Sequence, residues 1–243
     1  MDTIKIRNKK DTRIIAHRGV SGLEQENTYN SFFNAGFRSY FGIETDIHVT
    51  KDNKFIVCHD DNIKRVSGID KIIEESTFDE LRNIALLDKN GKTNTMSRLP
   101  SLEEYINICK AFNKYAILEL KGEMSEEILY SIYEIINNLK YLTKVIFISF
   151  HKNNLIKLKD IYEEGNYQYL SDIDTDELKS DALNTAKEYN FDLDVNHNFL
   201  TLDFIKKCKE NNIKINVYTV NSFERATELI ELGIDFITSN ILE

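Results

Sequence analysis

Residues 114–150 read KYAILELKGEMSEEILYSIYEIINNLKYLTKVIFISF. Two short apolar runs, 115–121 and 145–150, flank a segment of helical length and spacing, 125–140, for which Ser125 serves as N-cap. Strand, helix and strand in this order form a βαβ unit, whose strands pair in parallel. The alternation continues to the end of the chain. Helix is expected at 153–164, ended by Gly165, then at 176–189, 202–211 and 223–232, the last with Gly233 at its C-terminus. Strands are expected between and after them, at 167–170, 191–195, 213–220 and 234–238. Working back from residue 114, strand is expected at 13–16 and 42–49, and helix at 29–37. These strands sum to eight, which in a chain of 243 residues is the size of a (β/α)8 barrel forming one domain, 1–243. A doubly wound sheet is the competing architecture, but His17-Arg18-Gly19-Val20-Ser21-Gly22 lacks the glycine spacing its first turn needs.

Two segments depart from the alternation. A further extended run, 55–58, follows the second strand after only 50–54, too few residues for a parallel crossover, so it reads as a hairpin. A turn at Asp52-Asn53 pairs residues whose numbers sum to 105 and sets Asp46 opposite His59, with Cβ atoms ~5 Å apart. A slip of one residue would turn His59 to the other face. Segment 61–97 holds one expected helix, 78–84, among polar turns. It reads as an insertion on the barrel's mouth that covers the site and contributes to specificity. Pro100 marks the return to regular helix at 102–111.

Composition is that of a globular protein, 42% hydrophobic and 29% charged. The net charge of −9, with lysines spread rather than grouped, excludes nucleic acid as a partner. Cys58, Cys109 and Cys208 are an odd set without metal-type spacing, which argues against a disulfide framework and a zinc site. No apolar run is long enough for a signal peptide or a spanning helix. The expectation is a soluble cytoplasmic protein, monomer or homodimer, with no stable membrane association.

Ionisable groups gather at the ends of the apolar runs, where acids and histidines are not tolerated without partners. Glu44 and Asp46 lie two apart on one strand and point to one face, and Glu119 and Lys121 repeat the arrangement. Strand C-termini of a barrel meet around one mouth. Glu44, Asp46 and Glu119 then offer oxygen ligands to one hard divalent cation, Ca2+ or Mg2+. His17 and His59 are the acid–base candidates, with Asp60 or Asp61 available to orient one of them. Arg18 and Lys121 suit phosphate oxygens. Tyr218 could line the pocket, and His48 shares the face of Glu44 and Asp46. His151 and His197 are expected in mouth loops, and Asn27 or Thr28 reads as an N-cap. Acids for a cation, a histidine pair and two cationic groups together point to chemistry on a phosphodiester.

The chain resembles the glycerophosphodiester phosphodiesterase family from about residue 13 to its C-terminus. The resemblance is carried by HRGVSGLEQENT (17–28), GIETDIHVTKDNKFIVCHDDNIKRVSG (42–68), RLPSLEEY (98–105), ILELK (117–121), ISF (148–150) and NVYTVN (216–221). It implies a TIM (β/α)8 barrel with an inserted segment after the HD motif. It also implies hydrolysis of small glycerophosphodiesters, such as glycerophosphocholine or glycerophosphoethanolamine, to sn-glycerol 3-phosphate and an alcohol. A divalent cation would lie at Glu44, Asp46 and Glu119, the catalytic pair would be His17 and His59, and Arg18 and Lys121 would touch phosphate. The chain departs from the family pattern at three places. Gln25 replaces proline, Tyr218 replaces tryptophan, and Ser239-Asn240 replaces Thr-Asp. Two rival readings are a lysophospholipase D or sphingolipid head-group phosphodiesterase of the same superfamily, and a non-catalytic barrel that binds a phosphodiester or metal.

Overall fold

A computed structural model describes residues 2–243. In chain order the elements are β1 (Arg13–Ala16), α1 (Tyr29–Gly36), β2 (Gly42–Val49), β3 (Phe55–Val57), α2 (Lys64–Ser67), α3 (Phe78–Arg82), β4 (Leu86–Leu87), β5 (Thr93–Asn94), α4 (Leu102–Ala111), β6 (Tyr115–Leu120), α5 (Glu126–Asn138), β7 (Val145–Ser149), α6 (Lys152–Ile161), β8 (Asn166–Ser171), α7 (Asp176–Tyr189), β9 (Asp192–Asn196), α8 (Leu202–Glu210), β10 (Ile215–Tyr218), α9 (Phe223–Glu231) and β11 (Phe236–Ser239). Eight parallel strands, β1-β2-β6-β7-β8-β9-β10-β11, close on themselves through β1 and β11. The architecture is the TIM barrel expected from the alternation.

Alternation along each strand separates two cores. Outward residues such as Ile14, Ile43, Leu118, Phe147, Leu193 and Val217 pack with helix residues such as Phe32, Tyr105, Ile132, Leu155, Phe204 and Leu229. Each such side chain, fully buried, contributes roughly 1.5–3 kcal/mol. Inward residues Ile15, Ile117, Ile146, Ile148, Leu170 and Phe236 fill part of the barrel. Thr28, Ser101, Ser125, Thr175, Thr201 and Ser222 cap α1, α4, α5, α7, α8 and α9, each accepting from an amide in the first turn.

The bottom of the barrel tolerates no added atoms at Gly42. A Cβ there would lie 2.3 Å from Ile117 Cδ1 and 2.8 Å from the Tyr115 carbonyl oxygen. Gly42→Ala is expected to destabilise the fold by about 1–3 kcal/mol, measured as a lower urea midpoint at unchanged m.

The β2–β3 hairpin forms, but its register is one residue from that expected. The pairs are Ile47 with Val57, His48 with Ile56 and Val49 with Phe55, each summing to 104. The cause is the turn. It has three loop residues, Lys51, Asp52 and Asn53, closed by Thr50 N–H to the Lys54 carbonyl at 2.9 Å, with Asn53 left-handed at φ 56°. Continued by one residue, the register sets Asp46 beside Cys58, whose N–H donates to the Asp46 carbonyl at 3.1 Å.

The inserted segment contains more structure than expected: α2 and the β4–β5 hairpin join α3. It has its own small core, in which Ile63, Val66, Ile73, Leu81 and Leu86 pack on Ile56 and Cys58. That core anchors it beside β3.

Candidate active site

The chain turns sharply after β1. His17 N–H donates to the Ser239 carbonyl (2.8 Å), and Arg18 and Gly19 follow with φ of 53° and 74°. A Cβ at Gly19 would lie 2.5 Å from Ser31 Oγ and 2.6 Å from its backbone, so only glycine lets the loop press against α1. This turn delivers Arg18 to the barrel mouth. Its backbone N–H donates to Glu44 Oε2 at 2.8 Å, and its guanidinium lies 3.0 Å from Glu26 and 3.5 Å from Asp46.

Glu44, Asp46 and Glu119 are buried, and one carboxylate oxygen of each lies within 4.8 Å of the others. Asp46 Oδ2 accepts from Asn27 Nδ2 at 2.8 Å, while its Oδ1 is buried without a hydrogen-bond partner. Burial, then the neighbouring Asp46, push Glu44 well above the usual carboxylate range. The same two causes take Glu119 up to about 7. At Asp46 burial acts the same way, but Arg18, Lys121 and His59 outweigh it and hold the carboxyl below its ordinary value. Two of three converging acids therefore favour protonation, and one oxygen is orphaned. A divalent cation answers both features, so the trio fits the metal that the residue types imply. Lys121 supplies a single charge from one side, 2.9 Å from Glu119 and 3.6 Å from Asp46.

His17 is held from behind. Its Nδ1 lies 2.7 Å from Asn240 Oδ1, which also accepts from Ser21 Oγ at 2.8 Å. An amide oxygen only accepts, so Nδ1 carries the proton and Nε2 keeps its lone pair, 3.9 Å from Glu44. Burial, reinforced by Arg18, lowers the His17 pKa to about 4. His59 reaches the same cavity despite the shifted register, because β3 ends at Val57 and a bend carries 59–60 inward. Its Nδ1 is 2.7 Å from Asp60 Oδ1. Arg65, from α2, then bridges two halves of the site. It donates to Asp60 at 2.6 and 3.1 Å and to Glu26 at 2.8 and 2.9 Å. The Arg65 hydrogen bonds hold Asp60 down to about 2.

The cavity these groups share has a volume of about 170 Å3, and His17, Arg18, Glu44, His59, Glu119 and Tyr218 are among its walls. Tyr218 donates to Asp172 at 3.2 Å and packs edge-on against Phe150. No residue of 61–97 lines this cavity, so the insertion flanks the site rather than covering it, consistent with its own core beside β3. His48 stands behind the site, its Nε2 3.3 Å from the His59 carbonyl. His151 faces Glu123 and His197 is engaged by Arg225, and neither lines the cavity. Sequence reasoning missed Asn240 as a partner of His17, Glu26 and Arg65 as a bridge, and Asp194 in the cavity wall. Asn240 was visible as a departure from the family pattern. Only the fold brings Arg65 to Glu26. A larger groove of about 620 Å3 lies between α3 and α5, away from these groups.

The barrel and its acidic, histidine-flanked mouth place the chain in the class of TIM-barrel phosphodiesterases. Residues 17–242 match the Glycerophosphoryl diester phosphodiesterase family, and the chain belongs to it. It is 25% identical over 237 residues to a glycerophosphodiester phosphodiesterase of Caldanaerobacter subterraneus, covering 94% of each chain. A crystal structure of a glycerophosphodiester phosphodiesterase from Parabacteroides distasonis is similar with a TM-score of 0.79 and 29% identity, over 96% of this chain and 94% of that one. An Oleispira antarctica phosphodiesterase in complex with the product sn-glycerol-3-phosphate shares the fold with a TM-score of 0.82 at 22% identity, over 94% and 93% of the two chains. No helix among the described residues is long and apolar enough to cross a membrane.

Proposed function

We propose that this chain is a metal-dependent phosphodiesterase that splits small glycerophosphodiesters, such as glycerophosphocholine or glycerophosphoethanolamine, into sn-glycerol 3-phosphate and an alcohol. One observation carries the reading: three buried carboxylates, two supported histidines and two cationic side chains converge on one barrel mouth. A cation held by Glu44, Asp46 and Glu119 would neutralise charge on the phosphoryl oxygens. Arg18 and Lys121 hold and orient the phosphate.

His17 Nε2 takes the proton of the substrate's own 2-hydroxyl as that oxygen attacks phosphorus. His59 gives a proton to the departing alcohol, leaving a cyclic phosphate. In the second step water opens the ring and the two histidines exchange roles. Asn240 supports the first assignment because it leaves Nε2 free, and Asp60 supports the second because its carboxylate holds the His59 ring in place through Nδ1.

The test is release of glycerol 3-phosphate from glycerophosphocholine with Ca2+ or Mg2+, then with EDTA. Release that EDTA abolishes and one cation restores is expected. Hydrolysis of lysophosphatidylcholine but not of glycerophosphocholine would instead favour the lipid head-group reading, and ligand binding without turnover the non-catalytic one.

Arg65 touches neither metal ligand nor cavity, yet it braces Asp60 behind His59 and Glu26 behind Arg18. Arg65→Ala is expected to lower kcat roughly 10–100-fold while far-UV circular dichroism stays unchanged. A wild-type kcat in that variant would show that the bridge is dispensable.

A further inference from the structure

Among the described residues, five buried side-chain atoms lack a hydrogen-bond partner. Tyr40 Oη and Glu243 Oε2 belong to a buried polar pair remote from the mouth. The other three are Arg18 Nε, Asp46 Oδ1 and Asp194 Oδ1. A phosphate answers Arg18 and a cation answers Asp46. Neither accounts for Asp194, which rises from β9 on the side of the barrel opposite β2.

Asp194 is 2% exposed and lines the same 170 Å3 cavity, near Tyr218 and Leu170. Its Oδ2 accepts from Asn216 Nδ2 at 3.0 Å. Asn216 also donates to Gln168 at 3.1 Å and accepts from Thr238 at 3.2 Å. All four are buried, and they come from β8, β9, β10 and β11. Barrel interiors are ordinarily filled by branched apolar side chains. Here amide, hydroxyl and carboxyl groups bond to one another instead, and Oδ1 of Asp194, a residue of the cavity wall, is the buried atom among them left without a partner. An unmet buried polar atom is costly unless a ligand meets it.

Resting on the proposed phosphodiesterase activity, we infer that Asp194 is a substrate-recognition residue, whose Oδ1 takes a hydroxyl group of the glycerol moiety while the phosphate lies against Arg18. Burial pushes the Asp194 carboxyl well above its ordinary range. A carboxyl buried this deeply and braced by an amide suits an uncharged hydroxyl. Mouth and floor then divide the work: the β1, β2 and β6 side holds the reacting phosphate, and the β8–β11 side reads the polyol.

The test compares three ligands in calorimetry on the metal-loaded protein: sn-glycerol 3-phosphate, n-propyl phosphate, which lacks both hydroxyls, and phosphocholine, which carries an ammonium group. Wild type should bind glycerol 3-phosphate more tightly than propyl phosphate by roughly 10–100-fold. Asp194→Leu should erase that preference by weakening glycerol 3-phosphate alone. Asp194→Asn, which retains a polar group and the contact with Asn216, should keep most of it. Melting curves of both variants show that each is folded before binding is compared. Equal weakening of all three ligands, unchanged preference in Asp194→Leu, or a loss confined to phosphocholine would each overturn the assignment. If wild type releases glycerol 3-phosphate from glycerophosphocholine and one of these results is found, the recognition role fails and the activity stands. If wild type neither turns over the diester nor binds glycerol 3-phosphate, the activity itself fails.

Discussion

His17→Ala is expected to lower kcat by roughly 10²–10⁴-fold on glycerophosphocholine, with little change in KM. The imidazole is placed for proton transfer rather than for substrate binding: Asn240 holds its Nδ1 from behind and Nε2 faces the carboxylate cluster. The fold should survive, because the His17 backbone, not its ring, bonds to Ser239. The wild-type pH profile offers a second check. Burial and Arg18 lower the His17 pKa to about 4, so the ring stays neutral and able to accept a proton until pH falls through that value. The acid limb of kcat/KM should therefore lie well below the ~6.5 of an ordinary histidine. Unchanged turnover in His17→Ala would remove this residue from the reaction.

Asp46→Asn is expected to abolish cation dependence and lower activity by at least roughly 10³-fold, since several kcal/mol of charge stabilisation disappear with the ion. Asp46 is the one acid of the trio whose surroundings hold its carboxyl below the ordinary value, and its Oδ1 has no hydrogen-bond partner. In wild type, adding Ca2+ or Mg2+ should raise the melting temperature, because an ion that binds only the folded state stabilises it. The effect should weaken at lower pH. Glu119 takes up a proton as pH falls through about 7, and a cation must displace that proton to bind. Calorimetric titrations at pH 6 and 8 would check this; equal affinity at both would mean that Glu119 is not a ligand.

The barrel was legible because its signals are local. Apolar runs of strand length, caps such as Ser125 and Thr28, and regular spacing recur unit after unit. The ionisable groups were legible because acids and histidines stand out at the ends of such runs. The hairpin register was not. It depends on Asn53 adopting a left-handed conformation, and Asp52-Asn53 also fits a shorter turn. His59 still reaches the cavity, because the chain leaves the strand before the register governs its direction. The supports of the site were hidden for another reason. Asn240 meets His17 across 223 residues, and Arg65 meets Glu26 across 39, so no spacing rule connects them. Asp194 reads in sequence as part of an ordinary strand. Its significance lies in what it lacks, and a missing partner appears only when every neighbour has been placed.

Closure of the barrel through its first and last strands also bears on biosynthesis. His17 follows the first strand, but the carbonyl and amide that fix it belong to Ser239 and Asn240, at the end of the last. A nascent chain can assemble most of its strands in order and still have a loose histidine at the mouth. Activity should therefore switch on only once β11 has been made and slots between β10 and β1. Chains stalled or clipped before β11 would be folded in large part, yet silent.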